Sequence, residues 1–109
     1  MTITELNDQF RKTFIGGKVM VTAGIASLDE SLQQVIVATV QGFNQFNKSN
    51  DPHGEHDCGK FSVSSIGGNT YSVFWKIDYF DAACEFGSED PSDPAQTTRV
   101  LTIMLAEEY

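Results

Sequence analysis

"TYSVFWKIDYF", residues 70–80, decides how this 109-residue chain folds. A period of two puts Tyr71, Val73, Trp75, Ile77 and Tyr79 on one face, and Ser72, Phe74, Lys76, Asp78 and Phe80 on the other. Both faces carry large apolar groups, Trp75 and Ile77 on one, Phe74 and Phe80 on the other. That predicts a central strand, because an edge strand or a one-sided strand would leave one face polar. Upstream, Lys60 to Ile66 alternates in the same way, and Gly67-Gly68-Asn69 supplies a turn. Residues 60–81 therefore read as a β-hairpin. Downstream, "GSEDPSDPAQTT" (87–98) is a loop by composition. Arg99 to Ala106 is then almost wholly apolar, which predicts a last strand interior to the sheet.

The first half of the chain has helical periodicity instead. Thr2 and Glu5 have capping-box spacing, and Ile3, Leu6, Phe10 and Phe14 recur on one face, predicting a helix over 3–14 that Gly16-Gly17 stops. Lys18 to Ala26, with Val19, Val21 and Thr22, reads as a short strand. Ser27 and Glu30 form a second capping box. Leu28, Leu32, Val35, Ile36, Val40, Phe43 and Phe46 then make a wide apolar stripe, predicting a helix over 28–46. Asn47 to Gly59 is a polar connection. The expected architecture is a single α+β domain over 1–109, two helices packed on one face of an antiparallel sheet of about four strands.

A hydrophobic content of 40 % with 8 Phe residues sustains a core and excludes a disordered chain. Cys58 and Cys84 are too few for a disulfide framework. No stretch has the basic start and apolar run of a leader, and no apolar run nears the roughly 18 residues of a membrane span. A cytoplasmic protein without membrane contact is expected, with both thiols reduced. Charge is distributed unevenly. Residues 1–48 carry four acids and four bases, whereas residues 49–109 carry eleven acids against Lys60, Lys76 and Arg99, so the whole net charge of −8 lies in the second half. Such a field repels nucleic-acid phosphates and attracts basic protein surfaces.

"NDPHGEHDCG", residues 50–59, concentrates groups that can bind metal or move protons. His53, His56 and Cys58, with Cys84 as a distant fourth, could be read as metal ligands. Their spacing is neither that of paired zinc cysteines nor that of two histidines one helical turn apart, and Asp51, Glu55 and Asp57 do not follow an EF-hand. As a general base, His56 would need an orienting carboxylate, with Asp78 or Asp81 the candidates from across the fold. A Cys58–His56 nucleophile pair is too close in sequence to be productive, and no glycine-rich phosphate loop is present. The same stretch also reads as a structured loop. Asn50 and Asp51 would cap a turn before Pro52, Gly54 and Gly59 would permit positive φ, and His56 would tie the connection to the sheet. Lys76 and Arg99 would pair with Asp78, Asp81 or Asp57. No metal or cofactor is expected.

Four blocks, "NDPHGEHDCG", "FWKIDYFD", "GSEDPSDP" and "TRVLTIMLAEEY", resemble a family of small bacterial proteins, often plasmid-borne, catalogued as a domain of unknown function (number 3768). The resemblance implies a prokaryotic cytoplasmic protein carried by mobile elements, and it brings no activity. Asn50, Asp51, Pro52, Gly54, Glu55, His56, Asp57 and Gly59 fit the first block. His53 and Cys58 depart from it, because the resemblance implies aromatic residues there. Asp78 and Asp81 fit the second block, and Asp90 and Asp93 the third.

The expected function is non-enzymatic binding. Asp51, Glu55, Asp57, Asp78, Asp81, Glu85, Glu89, Asp90 and Asp93 would form an acidic surface for a basic, nucleic-acid-binding protein such as a CRISPR or restriction effector. Carboxylates placed there imitate phosphates, and no nucleic acid is bound directly. A homodimer, through the long apolar strand or through exposed aromatics paired across a two-fold, is a further association the pattern allows. The alternative is a small enzyme or metal protein built on His56, Glu55 and Asp57, with His53 and Cys58.

Overall fold

The hairpin forms where the alternation places it. A computed structural model describes residues 1–109. In it β2 (Cys58–Ser64) pairs antiparallel with β3 (Thr70–Phe80) across a turn at 65–69, where Gly68 takes a φ of 88°. β4 (Thr98–Leu105) lies on the other side of β3, also antiparallel, so both long apolar strands are interior. Neither has a free edge through which a second copy could pair. The sheet edges are β2 and β1 (Gly17–Val21), in the order β1-β4-β3-β2.

β1 departs from the expected antiparallel sheet. It runs parallel to β4, with Gly17 opposite Arg99 and Val21 opposite Ile103, so the sheet is mixed. Only a short turn forces two strands to be antiparallel, and β1 has none linking it to β4. It is also shorter than the expected 18–26. At Thr22 the chain enters a one-turn helix, α2 (Ala23–Ala26), held by Glu108, whose carboxylate accepts from Thr22 Oγ1 and Gly24 N.

Both helices cover the face carrying Val73, Trp75, Ile77, Leu101 and Ile103. α1 (Ile3–Thr13) has the Thr2–Glu5 capping box, and it ends at Phe14 in the left-handed region rather than at the glycines. α3 (Glu30–Gln41) is shorter than the stripe predicts. Ser27 does not cap it; that hydroxyl donates to Gly24 O, and Asp29 precedes the helix without a side-chain bond. Helix propensity fails at Gly42 and the asparagines beyond it, although the apolar spacing continues. Phe43 and Phe46 therefore enter the core from a loop. Leu32, Ile36, Val40 and Phe43 join one cluster with Phe10, Trp75 and Leu101, while Val35 stays exposed.

Candidate functional site

Asn7 and Arg11 stand one turn apart on α1, and both are buried, at 0 % and 1 % exposure, beside Phe10. A polar pair on the packed face must find partners, since each unpaired group would cost on the order of 1–3 kcal/mol. Asn7 makes three bonds. Its Nδ2 donates to the Glu55 carbonyl at 3.0 Å and to Tyr79 Oη at 2.8 Å, and its Oδ1 accepts from Arg99 Nε at 2.7 Å. One amide thus joins the helix, the 50–57 loop and two adjacent strands. Tyr79 Oη in turn donates to Glu55 Oε1 at 2.9 Å. Burial raises the Tyr79 pKa well above the ordinary phenol value, so it remains a neutral donor.

The loop closes on α1 through His56. Both Asp51 carboxylate oxygens accept backbone N–H groups, Oδ1 from Glu55 and Oδ2 from His56, and Asp51 is only 8 % exposed. Gly54 takes a φ of 67°, and its carbonyl accepts from Thr4 Oγ1. His56 itself has a φ of 54°, a conformation costly for a non-glycine residue and maintained here by its contacts. Its Nδ1–H donates to Asp8 at 2.9 Å, Nε2 lies 3.8 Å from Asp51 Oδ2, and its ring stacks on Phe46 at 3.9 Å. Asp8 also receives Arg11 Nη1 at 2.9 Å. The Arg11 guanidinium lies over the rings of Phe46 and Trp75 and donates to the Phe43 carbonyl. Burial pushes the Asp8 carboxyl up, but hydrogen bonds and charge from Arg11 and His56 outweigh it and hold its pKa below the usual range.

The carboxylate expected beside His56 is therefore Asp8, not Asp78 or Asp81. His56 ties the loop to α1 rather than to the sheet. Asp78 lies on the opposite sheet face and pairs with Lys76, as expected. Arg99 forms no ion pair; besides Asn7 it donates to the Pro91 carbonyl and lies over the Tyr79 ring. Gly59 needs no positive φ. A Cβ there would stand 2.6 Å from Phe43 Cζ and from Trp75 Nε1, so the glycine lets the aromatic core approach β2.

The other proposed site residues separate into two groups. Asp57 is half-buried without a side-chain partner, and burial together with the Glu55 charge raises its pKa. Cys58 is half-buried, and burial with the charges of Asp57 and Asp51 raises its pKa, the opposite of an activated thiolate. His53 is exposed, and no three His, Cys, Asp or Glu side chains come together as a metal site. On the 81–97 loop, Asp81 accepts from Glu85 N, Asp90 from Ser92 N, and Asp93 from Ala95 N. Glu85, Glu89 and Asp90 are exposed, Asp93 half so, and none pairs with a cation.

Sequence reasoning missed Asn7, Asp8, Arg11, Tyr79 and Arg99 as members of the loop's network. The signal for Asn7 and Arg11 was present: at i and i+4, flanking Phe10, they fall within the helix face that packs. The pattern of a family described as "Protein of unknown function (DUF3768)" matches residues 21–108, and the chain belongs to that family. No curated protein and no solved structure matches the chain.

Proposed function

We propose that this is a non-enzymatic binding module whose acidic loop 81–97 occupies the nucleic-acid-binding surface of a basic protein. The observation that carries this reading is the state of the loop's carboxylates. Glu85, Glu89, Asp90 and Asp93 project from one end of the sheet without cation partners. They belong to the half of the chain that holds the whole net charge of −8. Asp51 and Glu55, by contrast, are committed to the fold, and Asp78 is paired with Lys76. Local bonds to Ser92, Ala95 and Gln96 fix the loop, which lowers the entropy cost of presenting charge. Steering by opposite charge would speed encounter with a basic groove. The finer reading is an anti-defence inhibitor from a mobile element, directed at a CRISPR or restriction effector in the cytoplasm.

The test is affinity capture from a bacterial host with active defence systems, comparing wild type with Glu85→Lys/Glu89→Lys/Asp90→Lys. Wild type should retain a nucleic-acid-binding protein that added duplex DNA displaces, and the reversed variant should lose it. Retention unaffected by charge reversal and by DNA would refute phosphate imitation.

A second reading, acid–base chemistry, has one observation in its favour, the Asp8–His56 hydrogen bond. The remaining ring nitrogen faces Asp51 rather than an open cleft, and the ring is stacked on Phe46, so the pair is better suited to clamping the loop.

A further inference from the structure

Arg99 is the buried cation for which the fold supplies no counter-anion. It is 3 % exposed, and its Nε and Nη2 donate to neutral oxygens of Asn7 and Pro91. The ring beneath it is the neutral phenol of Tyr79. Glu55 acts on the charge from beyond contact, with one carboxylate oxygen taken by Tyr79 Oη. Nη1 has no protein partner, yet it is not among the unpartnered nitrogens sealed from solvent, Arg11 Nε and Trp75 Nε1. Arg11, equally buried, has Asp8. A buried charge without a counter-ion is costly, and in an acidic chain a pairing carboxylate would have been easy to supply.

Arg99 also lines a cleft of about 350 Å³ between α1, the turn after it and the 90–97 loop. Leu6, Phe10 and Ile15 give it apolar walls, while Gln9 and Thr97 add polar groups. That volume falls within the range of small-molecule sites, roughly 300–1,000 Å³. We propose that this cleft binds a small monocarboxylate with an apolar body, its carboxylate on the free edge of the Arg99 guanidinium and its body against Leu6, Phe10 and Ile15. One cation balances one negative charge, so a dianionic phosphate would arrive uncompensated in a protein of net charge −8. The planar guanidinium fork also matches a carboxylate.

Titration of the full chain with sodium hexanoate, followed by ¹H–¹⁵N NMR including the arginine side-chain Nε–H signals, tests the site. Saturable shifts largest at Thr97, Arg99 and Phe10 are expected, with a Kd of about 1 mM or tighter. Hexanamide, of equal size but uncharged, should bind at least about tenfold more weakly. A peptide ending in leucine offers the same chemistry. Tighter binding by that peptide than by hexanoate, lost on C-terminal amidation, assigns the natural carboxylate to a chain end; weaker binding assigns it to a free acid. Arg99→Gln should lose the response, and the wild-type titrations decide the matter even if that variant does not fold. Absence of saturation up to about 20 mM, equal binding of the amide, or shifts centred elsewhere would overturn the proposal.

Discussion

Asp8 joins two positively disposed groups at once, the buried Arg11 guanidinium and the His56 N–H. Asp8→Ala strands the Arg11 charge among Phe43, Phe46 and Trp75, and it releases the 50–57 loop from α1. The expected loss is about 2–4 kcal/mol at pH 7, read from urea unfolding. Because the folded Asp8 pKa lies below the unfolded value of about 3.9, its contribution is fully present above that value. It disappears as pH falls through the folded pKa, so the gap between wild type and Asp8→Ala should close in strong acid. A gap that persists unchanged to about pH 2 would mean the loss is packing rather than charge.

At the scale of the element, a single glycine sets how closely β2 meets the aromatic core. Gly59 lies beneath Phe43 and Trp75, and a methyl group would overlap both at 2.6 Å. Neither ring can retreat, since Trp75 is fully buried and Phe43 packs edge-on against it and against Phe46. Gly59→Ala should destabilise by about 2–3 kcal/mol, whereas Gly67→Ala, in the hairpin turn, should change stability by less than about 1 kcal/mol. Thermal unfolding of the two variants separates a packing role from a conformational one. The same local physics explains why α3 stops early. The apolar repeat continues to Phe46, but Gly42 and the asparagines beyond it do not sustain a helix, and the released segment carries Phe43 onto Gly59 and Phe46 against His56.

Across the whole molecule the dominant long-range force is self-repulsion. Eleven of the fifteen acids lie after residue 48, and only two carboxylates in the protein, Asp8 and Asp78, are in ion pairs with Arg or Lys. Folding brings the loop carboxylates closer together than in the open chain, and salt screens that cost. Stability should therefore rise by about 1 kcal/mol between roughly 10 and 150 mM NaCl, the reverse of a protein held by surface ion pairs. Denaturant midpoints at fixed pH measure it. A fall in stability over that interval would show that attractive pairs dominate instead.

The strands β2, β3 and β4, the first helix and its cap, and the location of the acidic loop were legible in the residues. All of these follow from short-range rules, namely periods of two and 3.6, a hydroxyl three residues before a carboxylate, and glycines at a turn. The direction of β1 was not legible, because no turn joins it to β4 and its orientation follows from how the whole chain crosses. The Asp8–His56 and Asn7–Arg99 bonds were not legible either. Their partners are separated by 48 and 92 positions, and no local pattern encodes a contact at such distances. The sequence by itself determined the three long strands, the first helix, the core of the second and where the charge resides; the segments 23–26 and 42–46 it did not. Tertiary structure alone decided which polar groups meet, since burial drives such groups to find partners from anywhere in the chain, and at Arg99 those partners are neutral oxygens rather than a counter-anion.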